Sequence, residues 1–99
     1  MESGGSVYIL TNKRRTTLYT GVTSDLPSRI RQHIDKVYPK SFSARYNLTN
    51  LIYMEHLSTI EEAIDREKKI KGKSRANKEK LISDYNPDWK DLTPEVLNW

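Results

Sequence analysis

The sequence predicts an α+β fold, a small three-stranded antiparallel sheet flanked by helices in the order β-β-α-β-α-α. Three observations predict it. Two β-rich runs, Val7 to Thr11 and Thr17 to Val22, lie close enough together to form a hairpin. An apolar stripe at helical spacing follows at once, in Leu26, Ile30, Ile34 and Val37. A third strand-like run, Leu51 to Leu57, then leads into two further helical patterns.

Each element has its own signals. Val7 to Thr11 is β-branched and aromatic with no breaker, and Asn12 to Thr16 is a polar, basic five-residue loop. A loop of that length has room for a bulge, so the hairpin register stays open. A slip of one residue decides whether Tyr8 and Tyr19 share a face. Ser24 or Asp25 can cap the first helix, Pro27 fits its first turn, and Pro39 ends it. Ser41 to Tyr46 is a candidate helical turn and Asn47 to Asn50 a loop. Ser58-Thr-Ile-Glu61 matches a capping box, and Ile60, Ala63, Ile64 and Ile70 form one face of the helix behind it. Gly72 is its stop, and Ser74 caps a last helix that reaches Tyr85 and ends at Asn86-Pro87. The acidic stretch from Asp88 to Trp99 reads as irregular, docked in part by Trp89.

Ninety-nine residues make one domain with a modest core. The expected organisation is a flexible tail over 1–5, one domain over 6–92 and a C-terminal tail over 93–99. The absence of cysteine excludes disulfides, thiolate metal sites and cysteine nucleophiles, and two distant histidines argue against structural zinc. No apolar run reaches the length of a membrane span and no signal-peptide core is present, so a cytoplasmic protein without a membrane partner is expected. The net charge is +4, yet residues 66–80 hold eight basic and two acidic side chains, leaving −2 for the rest. Such a block suits a phosphate backbone, and equally a solvated helix face.

Glu67 is the most telling residue. It follows Ile60 by seven positions and Ile64 by three, which places a carboxylate on the inward face of its helix. Burial there demands compensation by a lysine or arginine, a hydrogen bond or a metal ion. A lone carboxylate can hold Mg²⁺ or Mn²⁺ when water and substrate phosphates supply the other oxygens. Tyr8 and Tyr19 read either as core aromatics or as groups that position or deprotonate water; a phenol needs a nearby cation to act as a base at neutral pH. Arg29 and His33 form an i, i+4 pair beside the apolar stripe, suited to phosphate binding and proton relay or to a plain surface pair. Gly21 reads as a close backbone approach or a strand end, and Asn86 as a helix-end residue.

These segments together resemble the GIY-YIG endonuclease family, in particular small single-domain bacterial members related to the N-terminal nuclease domain of the excinuclease C subunit. The first motif stands here as Ser6-Val7-Tyr8 and the second as Tyr19-Thr20-Gly21, with the tyrosines eleven residues apart. Leu26-Pro-Ser-Arg29-Ile-Arg-Gln-His33, Ala63-Ile-Asp-Arg-Glu67 and Asn86-Pro-Asp-Trp89 resemble the segments carrying the family's first-helix motif, its metal-binding glutamate and its late asparagine. Ser6 stands where the first motif has glycine, and Val22-Thr23 where some members carry a lysine.

The resemblance implies a metal-dependent DNA endonuclease, structure-selective in repair or recombination, acting on branched, nicked or single-stranded forms. Tyr8 and Tyr19 would flank the attacking water, with Tyr8 favoured as the base. Arg29 would bind the scissile phosphate, His33 would assist the tyrosine or the water, Glu67 would hold Mg²⁺ or Mn²⁺, and Asn86 would support the site. Lys68, Lys69, Lys71, Lys73, Arg75 and Lys78 would engage DNA phosphates. Two other readings stand beside it: a nucleic-acid-binding module without catalysis, using the 66–80 block and nearby aromatics, and an interaction domain whose tryptophan-bearing C-terminus docks a protein or a second copy.

Overall fold

A computed structural model describes residues 4–36, 38 and 40–99, the side chain of Ser43 excepted. Residues 1–3 of the expected tail, Val37 of the apolar stripe and the helix-ending Pro39 lie outside the described residues. The chain runs β1 (Gly5–Thr11), β2 (Leu18–Thr23), α1 (Leu26–Ile34), α2 (Phe42–Arg45), β3 (Asn50–Leu57), α3 (Ile60–Lys71), α4 (Arg75–Tyr85) and α5 (Thr93–Leu97). The sheet is antiparallel in the order β2-β1-β3, so the central strand is the one that carries Tyr8.

The hairpin register is continuous from Ser6 opposite Thr23 to Thr11 opposite Leu18. No bulge sits between β1 and β2. The connecting loop is held by its own first residue: the Asn12 carboxamide oxygen accepts from the backbone N–H groups of Thr16 and Thr17, at 2.9 and 3.3 Å. The irregularity lies on the other side of β1, where Ile9 faces Tyr53 but Leu10 faces Leu51. Ile52 is the extra residue on β3, and both Ile52 and Tyr53 turn to the same face.

The two faces of the sheet bury separate cores. Tyr8 and Leu10 pack with Leu26 and Ile30 of α1, with Leu48 and Leu51, and with Leu92 and Val96 around α5. Val7, Ile9, Ile52 and Tyr53 pack with Ala63 and Ile70 of α3 and Ile82 of α4. Period-two alternation on the central strand feeds both layers, and every residue of β1 is buried.

The helix caps follow the expected chemistry with small shifts. Asp25, not Ser24, caps α1, accepting from the Ser28 N–H. The capping box of α3 is Thr59 with Glu62, one residue later than Ser58 with Glu61: the Thr59 hydroxyl accepts from the Glu62 N–H at 3.1 Å and donates to its carboxylate at 3.1 Å. Ile64 lies at the edge of the packed face, 37 % exposed, and the inward stripe is Ile60, Ala63, Glu67 and Ile70. Ser74 caps α4 as expected.

Both ends of the chain correct the expected tails. Gly5 is a buried strand residue, so the sheet starts one position before the domain boundary placed at 6. Residues 93–97 are helical rather than a tail, with Pro94 in the first turn and Val96 fully buried in the Tyr8 core. Leu92 and Val96 lie one helical turn apart, and packing against α1 gives that short segment its order.

Candidate active site

Tyr8 and Tyr19 share a face of the sheet. Tyr8 stands opposite Gly21 and Tyr19 opposite Leu10, which makes the tyrosines a diagonal pair with ring centroids 6.4 Å apart. A Cβ on Gly21 would overlap both the ring carbon Cζ and the hydroxyl of Tyr8. Glycine is therefore required there, because the Tyr8 ring lies across β2 toward the free edge of the sheet. A strand-end reading of Gly21 does not apply.

The first turns of α1 bring the next two groups. Asp25 sets the start of the helix, and its 3.6-residue period places Arg29 and His33 on the flank of Leu26 and Ile30 that faces the tyrosines. The Tyr8 hydroxyl and His33 Nε2 are 3.0 Å apart. The imidazole meets both phenol rings edge-on, with centroids 5.7 and 5.8 Å away. Burial pushes the Tyr8 phenol up to about 12, aided by Tyr19 and Glu67 and opposed by the neighbouring Arg29 guanidinium. Burial, and then Arg29, pull the His33 imidazole below its ordinary value. At neutral pH the pair is therefore an uncharged phenol against an uncharged imidazole.

Glu67 arrives from the other layer. It sits on the buried stripe of α3, which packs under β1 and the edge strand β2, and it is only 8 % exposed. Its charge reaches the Tyr8 hydroxyl. Its compensation in this structure is Lys71, whose Nζ lies 2.7 Å from Glu67 Oε2 one helical turn on. Among the described residues no group of three or more His, Cys, Asp or Glu side chains converges. The donor set thus fits a hard cation that takes one carboxylate from the protein and most of its oxygens from water and substrate. It does not fit zinc or any other ion that needs an all-protein cage.

A cleft of about 190 Å³ opens beside these groups, between α1 and the α2 region. Tyr19, Arg29 and His33 line it, together with Gln32, Lys36, Tyr38, Ser41, Phe42 and Ala44. Tyr8 does not line it and is fully buried behind Tyr19 and His33. The far wall is aromatic: Phe42 stacks on Tyr19 at 6.2 Å, Tyr46 leans on Phe42 at 4.7 Å, and Phe42 and Tyr46 are about half exposed. Sequence reasoning did not single out these wall residues. The available signal was basic residues interleaved with aromatics over 36–46, Lys36, Tyr38, Lys40, Phe42, Arg45 and Tyr46.

Two expected site residues are engaged elsewhere. The buried Asn86 donates through Nδ2 to the carbonyls of Ile52 and Lys90, at 3.0 and 2.8 Å, and its Oδ1 accepts from the Lys90 N–H. It thereby ties the turn after α4 to the bulged residue of β3, which is a structural task. Arg75 forks onto the carbonyls of Thr16 and Arg15, at 3.1 and 2.9 Å, and pairs with Glu79. Its donors secure the hairpin loop rather than facing solvent for a phosphate. Lys68 and Lys69 are exposed on α3, Lys73 and Lys78 are partly exposed, and Lys71 belongs to Glu67.

Comparison with known proteins bears on this arrangement. The family model described as the GIY-YIG catalytic domain matches residues 4–80. A UPF0213 protein of Syntrophus aciditrophicus is 33 % identical over 82 residues, 83 % of this chain and 92 % of that protein. A UPF0213 protein of Bacillus licheniformis is 32 % identical, the match covering 95 % of this chain and 96 % of the relative. The solution NMR structure of a UPF0213 protein from Bacillus halodurans superposes with a TM-score of 0.57 at 31 % identity, over 91 % of this chain and 94 % of that one.

Proposed function

The chain belongs to the GIY-YIG family, a family of nucleases, and from that premise we propose that it is a metal-dependent DNA endonuclease whose site is the cleft between α1 and α2. The carrying observation is the convergence of Tyr8, Tyr19, Arg29 and His33 on one face of the sheet, with the charge of the buried Glu67 reaching the same hydroxyl. A bland core would not set two phenols, an imidazole, a guanidinium and a carboxylate together.

Exposure supports a different role for each tyrosine. Tyr19 borders the cleft and is the phenol that an attacking water can touch, whereas Tyr8 is sealed from solvent. In this reading Tyr8, favoured above as the base, does not itself touch the water. Tyr8 holds His33 at 3.0 Å, and the uncharged His33, itself bordering the cleft, is the sink for the proton that the water gives up. Arg29 offers a planar fork to the scissile phosphate and stabilises its developing charge. A divalent Mg²⁺ or Mn²⁺ held by Glu67 would supply Lewis-acid polarisation of the phosphate and neutralise the leaving oxygen. Lys68 and Lys69, exposed on α3, contribute sequence-independent attraction to the backbone of the substrate. The Tyr19–Phe42–Tyr46 wall suits stacking of unpaired bases, which favours DNA with a single-stranded or distorted segment.

The test is incubation with supercoiled, nicked, branched and single-stranded DNA, with and without Mg²⁺ or Mn²⁺, comparing wild type with Glu67→Ala. Metal-stimulated cleavage lost in Glu67→Ala supports the reading. Salt-sensitive binding without cleavage by the wild type would favour a binding module, in which the Lys71–Glu67 pair is simply a structural ion pair.

A further inference from the structure

We infer that Lys71 is a built-in stand-in for the metal at Glu67, an ammonium that holds the carboxylate in place, contests it with a divalent cation and swings out toward the substrate when displaced. This rests on the reading of Glu67 as the metal ligand.

The pair differs from its neighbours. Arg75–Glu79 and Lys80–Asp84 share the i, i+4 spacing, but their partners are similarly exposed, at 45 and 46 % and at 73 and 67 %. In Lys71–Glu67 the cation is 55 % exposed and the carboxylate 11 %. The carboxylate is the fixed half, set by the buried face of α3. The lysine is the adjustable half, reaching in from solvent on a flexible four-carbon stem. Its Nζ lies 2.7 Å from Glu67 Oε2, so the ammonium already stands at the oxygen a metal would take. A cation bound at Oε2 would need the place the ammonium now holds.

A buried carboxylate with no counter-charge is costly. Lys71 offsets that cost through its 2.7 Å contact with Oε2. A divalent ion on Oε2 and an ammonium at 2.7 Å from it exclude one another by repulsion. Displacement therefore frees a half-exposed lysine next to the metal ligand at the moment the metal is loaded, available to an incoming phosphodiester.

The experiment is Mn²⁺ binding to the full chain without DNA, followed by electron paramagnetic resonance and by calorimetry. Lys71→Met and Lys71→Gln each tighten Mn²⁺ binding by about three- to tenfold, the worth of a partly exposed ion pair and its repulsion. Lys71→Arg, which keeps the charge, stays near wild type, and Glu67→Gln abolishes binding. With two neutral variants, a folding defect in one leaves the other to decide. Unchanged affinity in the neutral variants, with binding still lost in Glu67→Gln, overturns the role of Lys71 and leaves Glu67 as the metal ligand. No Mn²⁺ binding by wild type or by the neutral variants overturns both readings.

Discussion

Gly21 lies beneath the ring of Tyr8, and the space a methyl group would need there is already filled by the tyrosine's Cζ and hydroxyl. The contact ties the second sequence motif to the first. Gly21→Ala must push the phenol away from His33 and break the 3.0 Å hydrogen bond. The expected outcome is a loss of about 1–3 kcal/mol of stability from overpacking, with cleavage falling about a hundredfold as the geometry loosens. Denaturant melts and cleavage assays on one preparation check both.

The division of labour between the tyrosines predicts unequal effects. Tyr19→Phe removes the hydroxyl that orients the water in the cleft and should lower kcat by roughly 10²-fold with little change in stability. Tyr8→Phe leaves the cleft lining intact and should cost less activity. Single-turnover cleavage by the two variants decides the matter, and a larger loss in Tyr8→Phe would reverse the assignment.

The shifted groups make stability depend on pH at both extremes. Tyr8 is raised from 10.0 to about 12 by burial. The stability tied to its protonated form is fully present below pH 10 and is lost as pH rises toward 12. Tyr8→Phe should flatten that alkaline loss in a melting series. His33 is depressed, so its contribution is intact above 6.5 and is lost as pH falls through its lower folded value. The cleavage rate should keep its neutral-pH value below 6.5 and decline only as His33 itself becomes charged.

Asn86 should behave as a brace. Asn86→Ala removes hydrogen bonds to Ile52 and Lys90 and strands buried backbone groups, at a cost of about 2–3 kcal/mol. The melting temperature should fall while cleavage well below it stays within about twofold of wild type. A large loss of kcat in a fully folded Asn86→Ala would return the residue to the site.

The aromatic wall predicts a selective defect. Phe42→Ala should weaken binding of single-stranded DNA by about 1–3 kcal/mol per stacked base and affect uniform duplex far less. Fluorescence anisotropy at fixed salt measures both.

The sequence made the strands, the helix starts and the buried Glu67 readable because each rests on local chemistry: alternation, a capping side chain, a position counted along one helix. The face shared by Tyr8 and Tyr19 was not readable. Register depends on how Asn12 folds the loop back, and six residues, 12–17, separate the strands rather than five. Ile64 misled because it sits at the edge of the stripe, and which edge the sheet covers is set by packing rather than by spacing: Ile60, Ala63, Glu67 and Ile70 stay inward while Ile64 is 37 % exposed. The helix over 93–97 was hidden because its order comes from Leu92 and Val96 meeting α1, a contact between distant parts of the chain. Asn86 was visible as a residue, but its task depends on the bulge at Ile52, which no local pattern announces. The cleft wall escaped because Phe42 and Tyr46 matter through a stack with Tyr19, 23 residues upstream of Phe42.

The docking of α5 has a consequence for how the cleft can adapt. The helix bearing Arg29 and His33 shares one buried core with the sheet and with Leu92 and Val96, through its own Leu26 and Ile30. The opposite wall is a four-residue helix, with buried Ala44 flanked by the exposed Phe42, Arg45 and Tyr46. The cleft is thus a vice with one fixed jaw and one light one. Substrates of different girth would be accommodated by travel of the aromatic jaw, while the distance from phosphate to imidazole is kept by the other.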